Sequence, residues 1–200
     1  MHSRKPTPER LAAFSDGVFA VIITIMVLEL RPPEQPSFSA LLPLWPTMLS
    51  YAVSYLFIAI VWVNHHHLLR FAEQATARLI WWNFAHLFLV SLVPFSTAWV
   101  ADTDFAAAPV SIYAGVFVLV NSAYLAFAWE VLAQAEVQQA VSARVRQMTR
   151  ARSFATVAIF VAAAVISIWF PLWGFALIGC TLFAYLRPEG LSRAGDDETF

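Results

Sequence analysis

Polar side chains able to do chemistry lie inside two apolar stretches of this 200-residue sequence. The first stretch holds Ser15 and Asp16, and the second ends in three adjacent histidines, residues 65–67. Imidazole and carboxylate groups can exchange protons, and imidazoles also bind transition metals. Neighbouring helical side chains point about 100° apart, however, whereas two helical ligands of one metal ion stand about four residues apart. The sequence therefore predicts no metal site, and it shows no catalytic motif that would indicate an enzyme or a bound cofactor.

Asp16 needs a partner if the first stretch crosses a membrane. An unpaired carboxylate inside a membrane helix is unfavourable by a few kcal/mol. Arg10 lies near the same end of the segment, and the histidines of the second stretch are alternatives. We expect one of these histidines to hydrogen-bond Asp16 or Ser15 between helices, which gives the polar pair a structural role.

A second face of the same segment carries small and branched side chains with one hydroxyl. At about 100° per residue, this stripe comprises Gly17, Val21, Thr24 and Leu28, with Ile25 beside it. Asp16 projects about 140° away from Val21, onto another face. Small and hydroxyl residues are common where membrane helices pack. The pattern alone therefore leaves two interpretations open, which are helix packing and the lining of a pore.

Six apolar segments would position these residues. A helix needs roughly 20 apolar residues to cross about 30 Å of hydrocarbon. The predicted segments are Leu11–Leu30, Leu44–Leu68, Leu79–Val100, Val110–Leu132, and two short spans that divide Phe154–Leu186 at Pro171. Proline ends helices, and the last stretch is too long for one ordinary span. We expect an all-α membrane domain over residues 1–187 and a polar, disordered tail over residues 188–200.

The positive charges predict the orientation of the segments. With six spans, eleven of the 12 lysines and arginines fall on one side, and Arg31 alone falls on the other. Connections rich in lysine and arginine stay in the cytoplasm, so both termini are expected there. A five-span arrangement would place Arg187 and Arg193 outside, which supports the division at Pro171.

Composition excludes several classes of protein. The chain is 60% hydrophobic and only 12% charged, with a net charge of −1. Disordered chains are poor in apolar residues, and nucleic-acid binding needs positive charge to neutralise phosphates. A single cysteine allows no internal disulfide. An integral membrane protein in contact with lipids is the class that remains.

The motif that starts at Arg10 and continues with Phe14, Ser15, Asp16 and Gly17 resembles the signature of the transmembrane protein 175 family of potassium channels. Three further stretches are similar to the family: residues 18–24, the end of the second segment at Trp62, Asn64, His65 and His66, and the stretch at residues 94–97. Single-repeat members of this family are prokaryotic. The resemblance therefore implies a multi-pass protein of the cell membrane.

The resemblance also implies how the chain works. Members with one repeat assemble as homotetramers, and the first helix of each subunit lines a central pore without the Thr-Val-Gly-Tyr-Gly filter. The residues implied to line and constrict the pore are Val21, Thr24, Ile25 and Leu28. The residues implied to form an interhelical network are Arg10, Phe14, Ser15, Asp16, Asn64, His65 and His66. Potassium is then the permeant ion, passing near Thr24.

Two mechanisms follow from these expectations. In a passive potassium channel, a ring of apolar side chains gates by excluding water, and threonine hydroxyls replace part of the ion's hydration shell. Glu29 and Glu34 near the outer mouth raise the local cation concentration or are simply solvated. The alternative is a proton- or cation-coupled secondary transporter that uses Asp16 and the histidines of the second segment. No inverted repeat in the sequence supports that alternative.

Overall fold

A computed structural model describes residues 7–137 and 143–186 of the chain, and this part is helical throughout, with short connections. The helices are α1 (Pro8–Val27), α2 (Trp45–Leu69), α3 (Ala77–Val90), α4 (Val93–Asp102), α5 (Ala107–Val137), α6 (Ala143–Ser167) and α7 (Pro171–Tyr185), and a 3-10 helix covers Phe38–Leu44. The all-α prediction is confirmed. The expected tail, residues 188–200, lies outside the described residues.

Within residues 7–137 and 143–186, five helical segments are long and apolar enough to cross a membrane. They are α1, the 3-10 helix with α2, α3 with α4, α5, and residues 150–167 of α6. The sixth, α7, is apolar but has only 15 residues. Six spans with both termini in the cytoplasm therefore remain a prediction.

The bounds of α1 differ from the expected ones by three residues at each end. The helix begins at Pro8, where a missing N–H costs nothing because the first turn has no partner for it. It ends at Val27, so Leu28 is its C-terminal cap instead of an interior residue. Two prolines follow at positions 32 and 33 and prevent the helix from continuing.

The third predicted segment is divided into two helices. Proline cannot donate to the carbonyl four residues earlier and its ring clashes with that carbonyl, which for Pro94 belongs to Val90. Accordingly α3 ends at Val90, and α4 begins at Val93 after a tight turn in which the Leu92 amide donates to the Leu89 carbonyl at 3.2 Å. Pro94 is thus preceded by a two-residue break between the helices.

Helices α6 and α7 form an antiparallel hairpin, which confirms the predicted division at Pro171. Gly174, near the start of α7, lies against Ser167 and Ala163 near the end of α6. At the opposite ends of the two helices, the Thr156 and Tyr185 hydroxyls are hydrogen-bonded. A Cβ atom on Gly174 would fall 2.7 Å from the Ala163 carbonyl oxygen, so only glycine permits this separation of the two helices.

Most of the described arginines lie at one end of the bundle. Leu11, Leu69, Leu79 and Leu132 share one apolar cluster, which places the starts of α1 and α3 beside the ends of α2 and α5. The described arginines at that end are Arg10, Arg70, Arg78, Arg150 and Arg152. Arg31 lies at the other end, near Asp102. The structure therefore shows the charge asymmetry on which the predicted orientation depends.

Candidate pore-lining face and its supporting network

Helix α1 has one face in the protein core and the opposite face without a partner in the protomer. The buried face consists of Leu11, Ser15, Phe19, Ile22 and Met26. On the other side, Val21 is 55% exposed, Ile25 46% and Leu28 74%, and Thr24 and Gly17 are also exposed. The stripe identified in the sequence therefore does not pack inside its own subunit. It faces lipid, another subunit or a pore.

Thr24 is the polar group in the middle of this outward face. Its hydroxyl donates to the Val21 carbonyl oxygen of the same helix at 2.9 Å. With its proton committed to the helix, the hydroxyl oxygen keeps lone pairs free on the exposed side. Such an oxygen can accept a hydrogen bond from water or approach a cation, but it cannot donate outward.

Behind the outward face, a buried hydrogen-bonded chain joins α1, α2 and α3. The Ser15 hydroxyl donates to the Leu11 carbonyl at 2.9 Å and accepts from Asn83 Nδ2 at 3.0 Å. The Asn83 carbonyl oxygen is 2.7 Å from His65 Nε2. All three polar side chains are fully buried. Because a carbonyl oxygen only accepts, His65 carries its proton on Nε2 and its neutral form fits this chain.

Aromatic rings enclose the buried histidine. The His65 ring is stacked on Phe127 at 5.1 Å and on His86 at 5.8 Å, and Phe19 of α1 meets it edge-on at 5.5 Å. His86 Nδ1 donates to the Val120 carbonyl at 3.2 Å. The buried face of α1 therefore packs against an aromatic cluster, which holds the helix in position on the side opposite its outward face.

Asp16 has a tryptophan as its partner in the protomer. Trp62 Nε1 donates to Asp16 Oδ1 at 2.8 Å, and the Trp62 ring lies 5.5 Å from His66, one turn along α2. Within residues 7–137 and 143–186, we find no direct hydrogen bond from a histidine to Asp16. His65 instead uses its Nε2 for the Asn83 side chain. Ser15 is thus hydrogen-bonded to α3, and Asp16 is hydrogen-bonded to α2.

The other predicted network residues lie around this centre. Phe14 packs edge-on against Phe84 of α3 at 5.4 Å. The backbone carbonyl of Asn64 accepts from the Tyr124 hydroxyl at 3.3 Å. Arg10 is exposed at the start of α1, and its guanidinium makes no hydrogen bond within the described ranges. The sequence interpretation omitted Trp62 as a donor, and it also omitted Asn83 and His86.

An open cavity of about 260 Å³ lies at the far end of α1. Its lining includes Glu29, Arg31, Thr47 and Asp102. Two carboxylates and one guanidinium leave this end slightly acidic, in contrast to the arginine-rich opposite end. In the part of the chain that the structure describes, no group of three or more histidine, cysteine or acidic side chains is arranged to hold a metal ion.

The fold and this site define a multi-pass, all-helical membrane protein whose first helix has an unpartnered outward face. Comparison with known proteins shows which family the chain resembles. Residues 10–94 match the family model described as endosomal/lysosomal potassium channel TMEM175. The matched region contains the motif at Arg10, all of α1 after it, and the α2 and α3 residues of the buried chain.

Two bacterial relatives are similar over about half of the chain. A protein of Chryseobacterium sp. (strain P1-3) that is named a potassium channel is 46% identical over 107 residues, which cover 54% of this chain and 56% of the relative. A protein of Chamaesiphon minutus, also named a potassium channel, is 38% identical over 120 residues, covering 56% and 59%. The matched parts thus span little more than half the length of these relatives.

A solved structure matches nearly the whole fold. The crystal structure of a lysosomal potassium-selective channel TMEM175 homolog from Chamaesiphon minutus aligns with a TM-score of 0.79 and 27% identity, covering 89% of this chain and 95% of that one. The chain is therefore similar to the TMEM175 family of ion channels, in sequence over residues 10–94 and in fold over most of its length.

Proposed function

We propose that the chain is a passive, potassium-selective ion channel of the prokaryotic cell membrane. The observation that carries the proposal is the outward face of α1, where Val21, Ile25 and Leu28 are exposed around the single hydroxyl of Thr24. The names of the bacterial relatives and of the matching structure support potassium as the permeant ion.

One such face cannot enclose water, so the proposal includes a second element, a homotetramer. Four copies of α1 around a common axis would turn four identical stripes toward one another. The protomer already supplies the rigid support that this arrangement needs, because the opposite face of α1 packs on the aromatic cluster around His65. Packing of this kind fixes the radius of a narrow pore.

In this arrangement the apolar side chains form the constriction. A narrow ring of Val21 side chains excludes water and closes the pore by dewetting, and a wider ring lets a partly hydrated cation pass. Leu28, which is more exposed and lies at the helix end, forms a second ring nearer the acidic mouth. Potassium holds its hydration shell less tightly than sodium, so partial dehydration favours potassium.

Thr24 lies one turn from Val21 and compensates part of this dehydration. Its hydroxyl proton is held by the helix, so four oxygens with free lone pairs would face the axis. These oxygens act as cation ligands, directly or through water. They are fewer and more widely spaced than the carbonyls of a dedicated filter, so we expect modest selectivity.

Ion flux into liposomes separates this channel from a coupled carrier. Purified protein in vesicles with a potassium gradient should give rapid flux that follows the membrane potential and needs no counter-ion. Saturating flux that requires a proton or sodium gradient would instead indicate the transporter that uses Asp16 and the α2 histidines. Vesicles without flux under any gradient would contradict both functions.

Substitution of Thr24 tests the hydroxyl ring. Thr24→Ala should lower the preference for potassium over sodium, and Thr24→Ser, which keeps the oxygen, should retain it. Ser122→Ala is the matched control because the Ser122 hydroxyl is also exposed and bonded to its own helix, at 2.8 Å from the Val118 carbonyl. Unchanged selectivity in Thr24→Ala would show that the hydroxyl is not an ion ligand.

A further inference from the structure

An exposed arginine of α6 lies about one helical turn from a pair of exposed aromatic rings where α5 and α6 meet. The arginine is on the side of the rings nearer the arginine-rich end of the bundle. Arg150 precedes Phe154 by four residues on α6, so the two side chains lie on the same face of the helix. The Phe154 ring is 6.3 Å from the Trp129 ring of α5. All three side chains are exposed, Trp129 by 45% and Phe154 by 53%.

The order of these groups along the helix matches the layers of a lipid leaflet. Arg150 and Arg152 are the last charged residues before the uncharged part of α6, residues 153–167, so we expect the Arg150 guanidinium at the headgroup level and the two rings about one turn deeper. Tryptophan and phenylalanine at this depth contact the upper parts of acyl chains. A guanidinium presents several N–H donors in a planar fork that matches a phosphate.

From this arrangement we infer that Arg150, Trp129 and Phe154 bind an anionic phospholipid in the leaflet at the arginine-rich end of the bundle. Arg150 binds the phosphate of the headgroup, and the rings of Trp129 and Phe154 support an acyl chain. The inference depends on the membrane placement of α5 and α6 and not on the ion that the protein conducts.

Charge complementarity favours an anionic lipid as the occupant. The neighbouring carboxylate on α5, that of Glu130, is engaged by Arg78 and Thr76 on the α3 side. It therefore does not neutralise Arg150. A zwitterionic headgroup offers the same phosphate but adds a cation, which the guanidinium repels.

Arg152 provides a matched control two residues further along. Its guanidinium carbon lies 5.1 Å from the centre of the Tyr185 ring of α7, so this arginine is placed on the other side of α6. Both arginines are exposed and carry the same charge. A diffuse basic surface would use them equally, whereas the proposed site needs only Arg150.

Native mass spectrometry of the full chain tests the site. The protein is released from vesicles of equal phosphatidylglycerol and phosphatidylcholine, and the retained lipids are counted. The wild type should retain phosphatidylglycerol preferentially. Arg150→Gln should lower that retention about five-fold, the effect expected of one arginine at an anionic surface. Arg150→Lys should keep most of it, and Arg152→Gln should change it by less than about two-fold.

Three results would overturn the inference. They are equal retention of the two lipids by the wild type, equal losses in Arg150→Gln and Arg152→Gln, and no loss in either variant. Circular dichroism of each variant checks the fold, which an exposed side chain should not disturb. Because retention is measured without ion flux, a failure here leaves the proposed channel function intact, and a failure of the channel assay leaves the lipid site intact.

Discussion

Replacement of Asn83 by leucine should destabilise the protein by removing the centre of the chain that joins α1, α2 and α3. Leucine has the same branched shape and the same number of side-chain heavy atoms as asparagine, but its methyl groups are bulkier and it has no polar atoms. The substitution leaves the His65 Nε2 proton without an acceptor and the Ser15 hydroxyl without its donor from α3. Ser15 keeps its bond to the Leu11 carbonyl, so the unpaired His65 donor accounts for most of the loss of stability.

The magnitude follows from the burial of these groups. A buried donor left without a partner costs about 1–3 kcal/mol, and the loss of the Ser15 bond adds about 1 kcal/mol. The added apolar surface of leucine offsets part of this, so a net loss of about 2–3 kcal/mol is expected. At about 2–4 °C per kcal/mol for a chain of this size, the melting temperature should fall by roughly 8 °C.

Thermal unfolding in detergent measures the effect, and a double-mutant cycle identifies its cause. His65→Phe removes the orphaned donor and keeps a ring that can stack on Phe127. In the background of His65→Phe, Asn83→Leu should cost much less, because no histidine proton is then left unpaired. Asn121→Leu is the control, since Asn121 is bonded only to the Phe117 carbonyl of its own helix in the described structure. Costs of Asn83→Leu and His65→Phe that simply add would refute the reasoning.

Three further substitutions test other parts of the structure. Asp104 has a positive φ of 47° at the end of α4, so Asp104→Gly should stabilise the protein by about 0.5–1 kcal/mol in thermal unfolding; a lower melting temperature would contradict this. Gly174→Ala should cost about 1–3 kcal/mol because its Cβ meets a carbonyl of α6, whereas Gly179→Ala, which meets nothing within 4 Å, should not; equal effects would contradict the close packing of the hairpin. Trp62→Phe removes the donor to Asp16 and should reduce assembly measured by size-exclusion chromatography, and unchanged elution would show that this bond is dispensable.

Much of the fold was predictable because its signals are local. Apolar length and charge asymmetry identified the segments, and Pro171 marked the turn between α6 and α7. The break before Pro94 was not predicted, because a proline in the sequence shows that one helical hydrogen bond must be lost but not whether the neighbouring turn also opens. The ends of α1 differ from the predicted ones by three residues, because apolar length does not fix the residue at which a helix begins or ends.

The partners inside the site were harder to predict. The sequence indicated that Ser15 and Asp16 need partners, and the periodicity of α1 separated the two faces. It did not show that Asn83 stands between Ser15 and His65 or that Trp62 reaches Asp16, because those contacts depend on how α2 and α3 pack. An asparagine in the middle of an apolar helix was the available signal for Asn83, since such a group must find a partner.

Cysteine accessibility along α1 tests most directly whether the outward face lines the ion path. In a background with the exposed Cys180 replaced by serine, cysteines are introduced at Val21, Thr24 and Leu28. A charged, water-soluble thiol reagent should modify these positions and block potassium flux. Cysteines at Ile22 of the buried face and at Leu119 of α5, which is as exposed as Val21 but lies away from α1, should not respond. Flux that survives at all three α1 positions, or a block produced equally through Leu119→Cys, would contradict the proposed pore.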